Sequence, residues 1–327
     1  MRNRLATIGS PDREADVTRP VEPLLVRQNR PEMMALLHAM SICHRRAQRL
    51  DNLRMLLSVT IGVAGAVIAV GGRSATAATA VTALGALWAV ANAVGLGSWS
   101  RGQIRRAAVL QEMFDVELFG LPWNTVAVGD RVDAHEVSRL DRAFRGSERY
   151  LRDYYEVPPL PHPYDVLACQ HQNLGWGSRL RRRYAYTVLA GVAAWATLGV
   201  VLAVAVDLTV AELLLRWFVP SLGALLLGLE IYRGQRDVAA GRERALALLR
   251  ERIAAAVDRG DGGGAGAELV TLARQVQDLI FLGRQGQPRV PDWFFRRFHP
   301  ADRVDFRVAM TDLADLLEKR APAARAE

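Results

Sequence analysis

Charged and uncharged stretches alternate along this chain over tens of residues rather than over single helical turns. Between Arg54 and Arg73 the run MLLSVTIGVAGAVIAVGG carries no charge, and from Ser74 to Ser98 neither does SATAATAVTALGALWAVANAVGLGS. A third block, YAYTVLAGVAAWATLGVVLAVAV, separates Arg183 from Asp207. A fourth, AELLLRWFVPSLGALLLGLEIY, is interrupted by Arg216 and closes at Tyr232. About 20 mostly apolar residues in a helix cover the ~30 Å hydrocarbon core of a bilayer, and soluble core helices rarely run so far without a charge. The pattern predicts four transmembrane helices in two hairpins, residues 55–97 and 184–232. Tight connections near Arg73 and at Asp207–Thr209 join each pair.

The remaining segments have helical, not strand, periodicity. Met33, Leu36, Leu37, Met40 and Ile42 share one face of an amphipathic helix that starts near Pro31 and enters the first span. A helix through QIRRAAVLQEMFDVELFG is stopped by Gly120 and Pro122. The loop LPWNTVAVGDRVD, a helix around AHEVSRLDRAFR and the extended, proline-rich EVPPLPHPYD follow. The fourth span continues as a helix carrying Leu246, Leu249, Ile253 and Val257 on one stripe. RGDGGGAGA breaks it, and a partner helix brings Leu269, Leu272, Val276 and Leu279 to a matching stripe. PRVPDWFFRRFHP reads as a connector before a last short amphipathic helix.

The whole chain therefore reads as an all-α integral membrane protein. Residues 1–21 form a disordered lead without a secretory h-region, and 22–54 a cytosolic amphipathic helix. After the first hairpin, 98–183 form a cytosolic helical insert, and after the second, 233–327 a C-terminal cytosolic helical region.

Composition sharpens this picture in two ways. Half of the 327 residues are hydrophobic while 23% are charged, which fits segregation into apolar and charged blocks. The net charge of +8 is carried by arginine, Lys319 being the only lysine. Arg45, Arg46, Arg49 and Arg54 precede the first span, and Arg101, Arg105 and Arg106 follow the second. Arg179, Arg181, Arg182 and Arg183 precede the third, and Arg233 and Arg236 follow the fourth, while the hairpin tips hold only Arg73. The excess of positive charge on one side predicts a multi-pass membrane protein with both termini and the long middle loop cytoplasmic. The same rule accounts for Arg181 to Arg183 as a headgroup collar, which competes with any reading of them as a phosphate site.

Within the spans, the pairs Gly62/Ala66, Gly65/Ala69, Ala78/Thr82, Gly199/Ala203 and Ala224/Gly228 have the small-residue spacing that lets helices approach closely in lipid. Asn92 is a polar amide within the second span, and Arg216 lies one turn beyond Glu212, within reach of a local pair. Pro220 removes a backbone hydrogen bond and predicts a kink. Asn92, Arg216 and Pro220 are thus the candidate pore or gate residues. Elsewhere the chemistry is thin. RGDGGGAGAE lacks the Lys-Ser or Lys-Thr of a P-loop. Cys169 and His171 have no zinc spacing, and Cys43 and Cys169 make no disulfide framework. No catalytic constellation, metal site or cofactor is predicted.

RQNRPE near residue 30, FDVELFGLPWN at 114–124 followed by VGDR, CQHQNLGWGSRLRRRY at 169–184 and PDWFF at 291–295 resemble the S-4TM family of SMODS-associating four-transmembrane effectors. The likeness spans about residues 22–320. It implies a pore-forming effector of a CBASS-like bacterial antiphage system, in which a cyclic oligonucleotide made on infection binds the cytosolic part and the spans permeabilise the bacterial inner membrane, causing abortive infection. Phosphates call for arginines and bases for amides or aromatic faces. On that implication Gln170, Asn173, Trp176, Arg179, Arg181, Arg182 and Arg183, with Trp123 and Asn124, are the candidate ligand-binding residues. The expected partners are the messenger, the bilayer and further copies of the chain, since four helices cannot line a wide pore; direct nucleic-acid binding is not expected. The alternative is a non-lethal membrane scaffold, or a small transporter or channel without nucleotide gating.

Overall fold

In the computed structural model, residues 23–71, 75–259, 265–286, 290–291 and 293–298 are described, together with 304, 306–308, 310–311 and 314–315. Seven long helices carry the architecture. We label them α1 (Pro31–Gly71), α2 (Ala75–Ala91), α3 (Gly97–Phe119), α4 (Ala134–Arg142), α5 (Tyr164–Ala205), α6 (Val219–Arg259) and α7 (Ala265–Gly286). Single turns at Leu24–Arg27, Thr125–Val128, Glu148–Tyr150 and Val210–Leu213 complete it, and no strand occurs among the described residues.

Local chemistry sets the boundaries. Pro31 opens α1, where its missing N–H costs nothing. Gly120 ends α3 at φ 66°, a left-handed conformation that glycine adopts without strain. The Asp133 carboxylate caps α4 by accepting from the His135 N–H at 2.7 Å. Beyond α5, Thr209 and Glu212 satisfy each other's backbone N–H groups in a capping box. The Trp293–Phe298 stretch, expected as connector, is helical, started by the Phe294 and Phe295 N–H groups donating to the Pro291 carbonyl at 3.0 Å.

α1, α5 and α6 are each 41 or 42 residues long and run without a break from a charged half into an apolar half. Pro31–Ile68, Tyr164–Ala205 and Val210–Arg259 are long and apolar enough to cross a membrane. Ala75–Ala91 is equally apolar but has 17 residues, about 25 Å of helix. A π-helical turn, Asn92–Leu96, joins it to α3.

The two halves are packed on opposite plans. In the charged half, large side chains fill the interior: Leu37, Met40, Leu110, Phe114, Leu167, Leu174, Leu249 and Ile280 are fully buried. The matching stripes expected on α6 and α7 meet there, through Leu249, Ile253, Val257, Leu269, Leu272 and Val276. In the apolar half most of the interior is small, Gly62, Gly65, Gly85, Gly199, Pro220, Ser221 and Gly223, with Trp217 and Leu227 the large buried exceptions. Leu56, Val67, Leu87, Val90, Val94 and Val204 face outward, each more than 60% exposed. Small residues inside and large apolar ones outside is the arrangement that lipid, and not water, stabilises.

Candidate functional site

The charged half is held by a buried polar network between α3 and α7. Glu112 and Asp115 lie one turn apart on α3 and are wholly inaccessible. Arg274 of α7 donates to Glu112 at 2.7 Å and to the Pro122 carbonyl at 3.0 Å. Arg284 donates to Asp115 at 2.6 Å, and the Tyr155 hydroxyl to its other oxygen at 2.7 Å. Between them the Gln277 amide donates to Glu112 at 2.8 Å and to Asp115 at 2.9 Å. Burial pushes the Glu112 carboxyl up, partly offset by the Arg274 hydrogen bond. Two carboxylates and two guanidinium groups balance, so this part of the interior is electrically closed.

Arg242 is different. It sits on the buried face of α6, 5% exposed, and no carboxylate pairs with it among the described residues. Its guanidinium donates to the Asn173 backbone carbonyl at 2.7 Å and approaches the Asn173 side-chain oxygen at 3.3 Å. The space it occupies on α5 exists because residue 177 is glycine: a Cβ there would collide with the guanidinium. Burial, and then the like charges of Arg181 and Arg284, lower its pKa to about 9. Arg242 Nε and Arg284 Nη2 are buried N–H groups with no acceptor. The result is one buried guanidinium without a carboxylate partner among the described residues, repelled by Arg181 and by the Asp115-paired Arg284, and carrying an unused Nε–H.

The predicted ligand residues divide between interior and surface. Gln170 is fully buried and donates to the Ala273 carbonyl at 2.7 Å and to Gln277 at 3.2 Å, which ties it to the carboxylate network. Asn173 contacts Arg242, and Arg181, 8% exposed, donates to Gln235 at 2.6 Å. Trp176 meets Phe306 edge-on at 5.8 Å. Arg179, Arg182 and Arg183 face outward; Arg182 pairs with Glu243 at 3.1 Å, and Arg183 lies 5.0 Å from the Phe298 ring centroid. Trp123 donates to the Gly129 carbonyl at 3.0 Å. Asn124 caps the Thr125 turn and donates to Asp278 at 3.1 Å, so both anchor their own loop. Thus Gln170 and Arg181 are buried and Asn173 and Trp176 half-buried, each against a different partner, while Arg179, Arg182 and Arg183 lie at the surface.

Sequence reasoning missed Glu112, Asp115, Arg242, Arg274, Gln277 and Arg284. Their signal was positional. Arg242 shares the stripe of Ala239, Ala245, Leu249 and Ile253, and Arg284 that of Gln277 and Phe281. A charge on a core stripe marks a buried charge.

At the junction of the halves, Asn92 begins the π-helical turn and accepts from Arg54 Nε at 2.6 Å. Arg54 is itself buried and pairs with Asp51 at 3.0 Å. Arg216 pairs with Glu212 at 2.9 Å within a second π-helical turn, Leu214–Phe218. Pro220 has no N–H to offer that turn. The Thr82 hydroxyl lies 2.8 Å from both the Ala78 and Leu215 carbonyl oxygens. Pro220 is clasped by two glycines: a Cβ at Gly65 would lie 2.5 Å from its Cβ, and one at Gly85 2.6 Å from its Cα. The small-residue faces are therefore used inside the chain.

Among the described residues, no group of three or more His, Cys, Asp and Glu is placed to share a metal ion. A family model for the SMODS-associating 4TM effector domain matches residues 23–313. A probable CBASS effector molecule of Bacillus cereus strain VD146 is 24% identical over 278 residues, which cover 83% of this chain and 92% of that protein. No solved structure matches.

Proposed function

The chain belongs to the SMODS-associating 4TM effector family, and from that premise we propose an antiphage effector whose charged half senses a small anionic messenger, a cyclic oligonucleotide. Its apolar helices then permeabilise the inner membrane. The observation that carries this reading is Arg242. A buried guanidinium without a carboxylate costs several kcal/mol, yet this one is kept, with Arg181 and Arg284 nearby and an orphaned N–H. Phosphodiester oxygens supply the missing charge and acceptors in the planar geometry a guanidinium favours. Asn173 and Arg181 lie beside it, with Gln170 and Trp176 on the same helix, offering amide and aromatic contacts for bases. Arg182 and Arg183 act at the headgroups as a collar.

Transmission needs no separate linker. α5 and α6 carry Arg181 and Arg242 and continue unbroken into the apolar half, so a displacement at one end moves the other. Asn92 and Pro220, each at a π-helical turn, are where the helix path yields. The fourth crossing is made by α2 with its π-helical turn, whose uncharged run extends to Ser100. Arginine-rich flanks place the charged half and both termini in the cytoplasm. Because the glycine contacts close the interior of one chain, permeation requires several copies meeting through outward Leu and Val faces.

The test is dye entry and membrane potential in phage-infected cells carrying the protein with and without its neighbouring operon genes. Infection should depolarise the complete system and admit dye, and Arg242→Met should abolish both while melting no lower than the parent. Flat signals from the intact system would instead support a scaffold or transporter, and leakage undiminished by Arg242→Met would remove the assigned site.

A further inference from the structure

The segment around Trp293 has a use that neither the helical core nor the spans absorb. It is held firmly at one level of the molecule. Phe294, 4% exposed, packs with Leu180 and Val290, and its ring lies 5.3 Å from that of Tyr184. Phe295 meets Tyr150 edge-on at 6.5 Å, and the Arg183 guanidinium lies 5.0 Å from the Phe298 centroid. Leu180 to Tyr184 is where α5 changes character, since no charged residue follows Arg183 until Asp207. The Tyr186 and Tyr232 rings, 6.0 Å apart, and Arg236, 5.8 Å from the Tyr232 centroid, mark the same transition on α5 and α6. Aromatic rings with arginines beside them are the signature of the bilayer–water interface.

At that level the segment turns its most amphipathic side chains outward. Trp293 is 64% exposed although its neighbour Phe294 is buried, and Arg296 and Arg297 are exposed, with no ion pair among the described residues. An exposed indole is costly in water and favourable at the headgroup boundary, where its apolar body and its N–H are both satisfied. Exposed guanidinium groups on the same short helix complement anionic phosphates.

We propose that residues 293–298 form an interfacial anchor, docked on the bilayer that the helices cross, with Trp293 at the headgroup–acyl boundary and Arg296 and Arg297 on anionic headgroups. The anchor rests on the membrane reading but not on any messenger. It ties the C-terminal region to the membrane surface beside the collar of α5.

Nitroxide labelling of the full chain in nanodiscs tests this, because native Cys43 and Cys169 are buried and do not take the label. Val126→Cys, at a position 99% exposed in a loop turn, supplies the aqueous reference, and Val200→Cys on α5 the lipid reference. In phosphatidylcholine with phosphatidylglycerol, a label at Trp293→Cys should favour oxygen over a nickel chelate several-fold more than the Val126 label does. Removing phosphatidylglycerol should shrink that preference, and Arg296→Gln with Arg297→Gln should abolish the lipid dependence. A Trp293 label indistinguishable from the Val126 label overturns the anchor. So does one shielded from both oxygen and chelate, which means a protein surface covers it. An aqueous Val200 label would overturn the membrane reading itself, a separately visible failure.

Discussion

Arg242 and His171 show how far single side chains depend on what burial leaves around them. Arg242 keeps its charge without a counter-charge, while His171 gives its charge up. His171 is 5% exposed, and its Nε2 accepts from Arg250 Nε at 3.0 Å, which leaves the ring proton on Nδ1. Burial, and then the Arg250 charge, lower its pKa from 6.5 to about 4. The folded ring thus stays neutral down to about pH 4, whereas the unfolded one takes a proton below about pH 6.5. Protonation therefore favours the unfolded chain. The stability this contributes is complete above pH 6.5 and is lost as pH falls toward 4, an effect on the order of 3 kcal/mol. Melting in detergent across that range should steepen downward for the parent and flatten for His171→Leu; an equal slope in both would assign the acid sensitivity elsewhere. Neither residue's role was legible by type alone. A histidine near a cysteine invites a metal reading and a lone arginine none, and only their places on buried stripes distinguish them.

At the scale of the helix, sequence and structure agree where one cause decides. Pro31 starts α1, Gly120 ends α3, and the apolar stripes of α6 and α7 meet as their spacing requires. Continuity was legible for α1, read as entering the first span, and for α6, read as continuing the fourth, and the structure has α5 pass 183–184 unbroken as well, because backbone hydrogen bonding is indifferent to what surrounds the helix. The π-helical turns were hidden, since they answer to contacts far away in sequence, such as Arg54 with Asn92. Glycine substitution tests whether the apolar packing is as close as described. Gly85→Ala places a methyl 2.6 Å from backbone of Pro220 and should cost about 1–3 kcal/mol. Gly102→Ala, with nothing within 4 Å on α3, should instead gain about 0.5–1 kcal/mol of helix stability. Equal melting temperatures for the two variants would show that α2 and α6 do not meet as tightly as this.

For the molecule as a whole, the two packing plans define the function. A core of large side chains and buried charge is joined by three rods to a half whose interior is mostly small residues and whose outside is rich in leucine and valine. On the proposed function, the charged half supplies the interactions that rearrange, and the outward Leu and Val faces of the apolar half are where copies would assemble. The alternation of blocks made this division readable from sequence, whereas the surroundings of Arg242 depend on how α5, α6 and α7 pack. The most direct measurement uses purified full-length protein in dye-loaded liposomes, challenged with low-molecular-weight filtrates of phage-infected and uninfected cells bearing the defence locus. The account predicts dye release with the infected filtrate alone, and none from liposomes carrying Arg242→Met. Release that ignores the filtrate's origin, or that Arg242→Met leaves intact, would contradict it.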